Sequence, residues 1–390
     1  MTISASPATR RAGILGALVI LLALLLSCCS QPPPPPSEPA GLILIVGVHR
    51  NEEVPSVPPV LHQRVRKVVE SGGGIAVIAV DGRPRLVAGP ATFPVTDANQ
   101  AAHDDDVTNA VDSITRTVKA AKAGHDGSDM VGALWLAADT ATSQMPGATI
   151  AIVDPLLPDT GAVDLTVPGM LAANPAEVVD GLRRGSALPA LHGHRVTLVG
   201  AGYTAAPQAP LTGAQRAAVT QLWTSVLQAA GASVEVVPFP RTGNGPATSY
   251  TTRTVPLPDT TPVKPYTSMP AVFRDDSPLG FLPDTTILRD PAGARAQLAQ
   301  LATWLRADGG RRVRVTGTCA SFGTVTGQKT LSTQRAEAIR GVLLGLGVAP
   351  GQVGTYGAGY IASPPDQRPD GSHDPAASAL NRSIRLTVTG

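Results

Sequence analysis

Arg335 has the clearest chemistry to offer. It stands in Leu331-Ser332-Thr333-Gln334-Arg335-Ala336. Ser332 carries the hydroxyl of a helix N-cap, and the pattern beyond it predicts a helix over 333–346. Arg335 would then sit in the first turn, where unpaired backbone N–H groups and the helix dipole favour an anion. A guanidinium placed there can hold a carboxylate by two parallel hydrogen bonds. The competing reading is a surface arginine that satisfies the protein's own acidic loop.

A second reactive position is Cys28. Arg10 and Arg11 precede an apolar run from Ile14 to Leu26, which ends in Ser27-Cys28-Cys29, the outline of a signal peptide over residues 1–27. The run is shorter than the roughly 20 residues that a membrane-crossing helix needs. Leu25-Leu26-Ser27-Cys28 resembles a bacterial lipobox, which implies diacylation of Cys28, or of Cys29 in a shifted register, and attachment to a membrane. Pro32 to Pro36 would stiffen a tether over residues 28–40. Cys319 is the only thiol beyond these two, so the body has no internal disulfide framework and reads as stabilised by hydrophobic cores. Cys319 itself reads as a small buried thiol.

The remaining polar clusters favour structural roles. His103-Asp104-Asp105-Asp106 suggests a cation site, yet acids that open a helix are stabilised by its dipole. His192 and His194 flank one glycine and lack an identifiable third ligand. Asp154 and Asp159 flank a proline-containing loop at a strand end where α/β folds often bind ligands, although loop aspartates commonly complete their own turns. Gly72-Gly73-Gly74 and Gly200-Ala201-Gly202 lack the spacing and the lysine of a phosphate-binding loop. No Ser, Cys or His stands in a nucleophile motif, so the chain is expected to be non-enzymatic, with no metal and no cofactor.

The elements that must position these residues form two blocks. The near balance of 31 basic and 29 acidic residues, dispersed along the chain, leaves no footprint for a nucleic acid. Over residues 41–240, Leu42–Val48, Ile75–Val80, Ala148–Val153, Val196–Val199 and Val234–Val237 read as buried strands. Helices are expected at Pro59–Ser71, Asp106–Ala123, Asp129–Ser143, Pro175–Arg184 and Thr212–Ala230. This alternation predicts a Rossmann-like, three-layer α/β domain with a mainly parallel sheet. Residues 241–269 lose periodicity in favour of Thr, Pro, Gly and Asn and read as a linker. Residues 270–390 read as a smaller α/β unit. Its helices are Asp290–Asp308 and Thr333–Leu346, and its strands are Val313–Thr316, Gln352–Tyr356 and Ile384–Val388.

Four spaced elements in that unit carry a resemblance: Val313-Arg314-Val315-Thr316-Gly317-Thr318, then Gly323, then Leu331 to Ala336, then Asn381-Arg382-Ser383-Ile384. In order and spacing they resemble the OmpA-like family. The resemblance implies a small mixed sheet packed by helices. It also implies a ligand, the diaminopimelate residue of peptidoglycan stem peptides, held by a loop aspartate and by the arginine of Leu-Ser-x-x-Arg-Ala. Arg335 matches the arginine, with Ser332 and Gly323 in the surrounding motif, and Asn381 and Arg382 match residues that brace the binding loop. The aspartate position falls on Ala320 and the preceding threonine on Cys319. Losing one partner of a buried charge pair costs about 2–5 kcal/mol, so affinity would fall by about 30-fold or more unless another group substitutes.

The first block weakly resembles a von Willebrand A-like domain through Leu198-Val199-Gly200-Ala201-Gly202-Tyr203. Gly47-Val48-His49-Arg50-Asn51 stands where that resemblance implies a metal-binding Asp-x-Ser-x-Ser, and it lacks the aspartate, which suggests a metal-free interaction module. The expectation is a lipid-anchored, extracytoplasmic envelope protein that contacts peptidoglycan. The alternative is a scaffold for other envelope proteins from which wall binding has been lost.

Overall fold

Strand β1 (Gly41–Gly47) is buried along its whole length. Its alternate side chains enter two different cores, Ile43 and Ile45 on one face and Leu42, Leu44 and Val46 on the other. A strand with both faces covered must be apolar throughout, which is why this one reads as an unbroken run. The computed structural model describes residues 41–96, 98–240, 243–264 and 270–389. The expected signal peptide 1–27, Cys28 and Cys29 and the tether 28–40 lie outside the described residues.

After β1 come α1 (Pro59–Glu70), β2 (Gly74–Val80), β3 (Arg85–Ala91), α2 (Gln100–Ala120), α3 (Met130–Ser143), β4 (Thr149–Val153), α4 (Pro175–Arg184), β5 (Arg195–Val199), α5 (Gly213–Ala229) and β6 (Ser233–Val237). The sheet order is β3-β2-β1-β4-β5-β6. All pairs are parallel except β2 with β3. Helices α3, α4 and α5 fill one face with residues such as Leu134, Leu182 and Trp223, and α1 and α2 cover the other with Leu61, Val65 and Ile114. The three-layer α/β expectation therefore holds for this half. Each such side chain contributes about 1.5–3 kcal/mol on leaving water.

Local chemistry sets the helix ends. Thr212 and Gln215 form a reciprocal capping box at the start of α5. Helix α2 begins six residues before its expected start, because the Asn99 side chain caps it by accepting a hydrogen bond from the Ala102 amide at 2.9 Å. The His103–Asp106 acids therefore lie within that helix.

Part of the stretch expected as a linker lies against this half. Asn51 Nδ2 donates to the Arg253 carbonyl at 2.8 Å, and the Gly127 amide donates to the Thr251 carbonyl at 2.7 Å. Val255 is buried in the α/β core.

The second sheet is built from β7 (Ala271–Arg274), β8 (Arg312–Cys319), β9 (Val353–Tyr360) and β10 (Ser383–Thr389) in the order β7-β10-β8-β9. Strands β8 and β9 run parallel, and β10 is antiparallel to both of its neighbours. Helices α6 (Pro291–Arg306) and α7 (Val325–Gly345) share its core through Leu298, Leu301, Leu305, Ala336, Ile339 and Leu343. A short helix, α8 (Pro375–Asn381), precedes β10. Among the described residues no helix is long and apolar enough to cross a membrane.

Candidate functional site

The expected position of Ser332 requires correction. Helix α7 starts at Val325, and its cap is Thr324, which accepts from the Gly327 amide at 3.1 Å. Ser332 and Arg335 consequently sit within the helix, away from its unpaired N–H groups, so the dipole argument for an anion at Arg335 fails. The Ser332 hydroxyl is spent elsewhere: it donates to the Lys329 carbonyl and accepts from the Gly359 amide of β9, each at 3.0 Å. Close contact with β8 requires Gly317, where a Cβ would overlap the Ser332 carbonyl oxygen.

Arg335 is only 2% exposed. Its Nε donates to the Thr285 carbonyl at 3.0 Å, and its guanidinium lies 5.1 Å from the centroid of the Phe281 ring. Burial lowers its pKa from the ordinary value, Asp275 opposes that shift, and Arg382 reinforces it. Arg335 and Arg382 line one tight crevice with Asp275, Phe281 and Thr318, too narrow as it stands to admit a water molecule. The competing reading of a surface arginine therefore fails, because the side chain is buried and held by a backbone carbonyl and an aromatic face.

Arg382, expected to brace the loop, forms a buried ion pair with Glu177 of α4 in the other half of the chain. Burial pushes the Glu177 carboxyl up to about 7 against the pull of Arg382. Asn381 Oδ1 accepts from the Ser363 amide at 3.0 Å, and its Nδ2 donates to the Pro364 carbonyl at 2.8 Å, so it ties down the chain that follows β9. Gly323 occupies a left-handed turn with φ of 75° in the loop between β8 and α7. Gln328 Nε2 donates to the carbonyls of Ser321 and Phe322 and so holds that loop.

A buried carboxylate lies close to Ala320. Asp366 is fully buried, and its Oδ2 accepts from the Ser321 amide at 3.0 Å, one residue beyond Ala320. Burial would raise this carboxyl, but hydrogen bonds from Ser321 and Asn381 outweigh it and hold the group below its usual range. Cys319 is buried, its Sγ donates to the Gln328 carbonyl, and burial lifts the thiol to about 11, so it is no nucleophile at neutral pH.

At the C-terminal edge of the first sheet, His49, Glu52 and Asp154 place one ligand atom each within 4.8 Å of one another, all buried. Sequence reasoning weighed His49 only for what it lacked and passed over Glu52. His194 Nδ1 instead meets the Ala148 carbonyl at 3.0 Å. Asp154 Oδ1 completes its own turn by accepting from the Leu156 amide at 2.6 Å, and Asp159 accepts from the amides of Ser128 and Arg253.

Residues 280–376 match the OmpA family model, about a quarter of the chain. They form an OmpA-like domain. No curated protein matches the chain. Similar solved structures include the peptidoglycan-associated lipoprotein of Burkholderia pseudomallei, 28% identical over 28% of this chain and 86% of that one, with a TM-score of 0.24. The periplasmic domain of Helicobacter pylori MotB is 16% identical over 30% of this chain and 71% of that one, with a TM-score of 0.24. The OmpA-like domain of FopA1 from Francisella tularensis is 21% identical over 28% and 68%, with a TM-score of 0.22.

Glu177 and Asp366 are the buried acids beside these residues that the sequence concealed. Glu177 is third in a helix capped by Asn174, a position that reads as half of a local capping box. Asp366 follows Pro364-Pro365, where an aspartate reads as a turn former.

Proposed function

We propose that this protein is a non-catalytic, extracytoplasmic envelope protein that contacts peptidoglycan through its OmpA-like domain and is held to a membrane by a diacylated Cys28. In this reading residues 1–27 are a signal peptide, 28–40 a tether, 41–240 an α/β interaction domain, 241–269 a connection and 270–390 the OmpA-like domain. The observation that carries the reading is the family match over residues 280–376, with Arg335 at the arginine of its Leu-Ser-x-x-Arg-Ala. Arg335 supplies the fork for a stem-peptide carboxylate, Arg382 stands beside it, and Ser332, Gly323 and Asn381 fix the surrounding helix and loops. Asp366 is the acid best placed to serve an ammonium group in place of Ala320.

A second reading is favoured by the closure of the site. Both arginines are buried and already have partners within the chain. In this reading the OmpA-like fold is kept as a scaffold for other envelope proteins. Co-sedimentation of the purified chain with peptidoglycan sacculi separates the two. Pelleting that Arg335→Lys weakens by at least tenfold, with thermal melting preserved, supports wall binding. The absence of pelleting, together with co-purification of envelope proteins after cross-linking, supports the scaffold.

A further inference from the structure

The Glu177–Arg382 pair joins the two halves of the chain at the two-arginine crevice. Glu177 belongs to α4 of the α/β half, and Arg382 immediately precedes β10 of the OmpA-like half. Both side chains are 7% exposed. Around them the halves approach closely. Arg289 Nη2 donates to the Ala172 carbonyl at 3.2 Å. Gly169 takes a φ of 95° and lies where a Cβ would crowd the Ala376 carbonyl. Ala376 itself is buried against the core of the α/β half.

The pair is poorly completed. Arg382 Nη1 and Glu177 Oε2 are both buried without a hydrogen-bond partner. A fork-to-fork pair would use both of those atoms. A buried ion pair that leaves half of its fork unused is a weak source of stability, because desolvation is incompletely repaid. It is suited to a contact that another carboxylate can replace.

We propose that the Arg335–Arg382 crevice is a carboxylate-binding site whose Arg382 arm is occupied by the protein's own Glu177, so that the α/β half competes with a carboxylate ligand. This rests on the wall-binding reading above for the identity of the ligand. A stem-peptide carboxylate gains access to both guanidiniums only when α4 and the 3-10 turn Met170–Ala172 swing away from α8. Its apparent affinity is then its intrinsic affinity multiplied by the fraction of molecules that are open.

The test uses the purified full chain and sacculi, comparing wild type with Glu177→Ala, Glu177→Gln, Arg382→Ala and Glu177→Ala/Arg335→Lys. Glu177→Ala and Glu177→Gln are expected to pellet at about tenfold lower concentration, and the double variant returns to weak binding. Arg382→Ala also frees the halves but removes a ligand arm, so it gains nothing. Equal gains from Glu177→Ala and Arg382→Ala, or no gain from either Glu177 variant, overturn the proposal.

Hydrogen exchange judges the internal contact separately. Glu177→Ala raises exchange at residues 170–172 and 375–381 if the halves are held by this pair, and unchanged exchange overturns it. If no variant pellets while exchange rises, the wall-binding reading has failed and the internal contact stands.

Discussion

His49 Nε2 lies 3.2 Å from Asp154 Oδ2 beneath the C-terminal edge of the parallel sheet, with both side chains buried and Glu52 Oε1 a further neighbour at 3.6 Å. Burial alone would lower the imidazole's pKa, but Glu52 and Asp154 overcome it and lift the group to about 9. The folded value exceeds the unfolded one, so the stabilisation is complete below about pH 6.5 and is lost as pH rises through 9. Its size is on the order of 3 kcal/mol. Urea titrations at pH 6.5, 8 and 9.5 should show stability falling steadily, and His49→Gln should flatten that fall.

An imidazolium is its own cation for these two carboxylates. Zinc must displace its proton before it can bind, so a stoichiometric excess of zinc at pH 6.5 is expected to leave the melting temperature within about 1 °C, and chelator likewise. A rise of several degrees that His49→Gln abolishes would reassign the cluster as a metal site.

With α7 starting at Val325, two of its hydroxyls carry different energetic weight. Thr324→Ala removes a helix cap and should cost about 1 kcal/mol. Ser332→Ala strips a buried hydroxyl from the Gly359 amide and should cost more, about 1–3 kcal/mol. Urea midpoints of the two variants provide the ranking, and the reverse order would return the cap to Ser332.

Restoring an aspartate at position 320 places a second carboxylate beside Asp366 in a site that excludes water, where like charges cannot both ionise cheaply. Ala320→Asp should lower stability at pH 7 by about 1–3 kcal/mol, less at pH 5, and Asp366→Asn in the same chain should recover most of the loss. Equal destabilisation by Ala320→Asp with and without Asp366→Asn would separate the two positions.

The α/β half was largely legible because its strands are short runs of Val and Ile and its helices carry caps such as Asp129 and Thr212. Strand β3 escaped notice because Arg85-Leu-Val-Ala-Gly-Pro-Ala91 is only partly buried and contains a proline, a residue tolerated at a sheet edge. The first turns of α7 hold Thr326, Gly327 and Thr330, weak helix formers that tertiary packing overrides. Arg335 was found from its motif, but its surroundings were not. Thr285, Phe281 and Asp366 come from distant segments, and Glu177 is 205 residues away from Arg382. Spacing along the chain carries no information about such encounters.

The polar, threonine-rich chain that follows β6 looks like an easy target for a protease. Backbone cleavage requires a segment to lie extended in the enzyme's cleft, and here the Thr251 and Arg253 carbonyls are already engaged by Gly127 and Asn51, while the Val255 side chain is buried. Digestion should therefore proceed slowly within 251–255, and a single nick there would leave two fragments that still migrate together under native conditions.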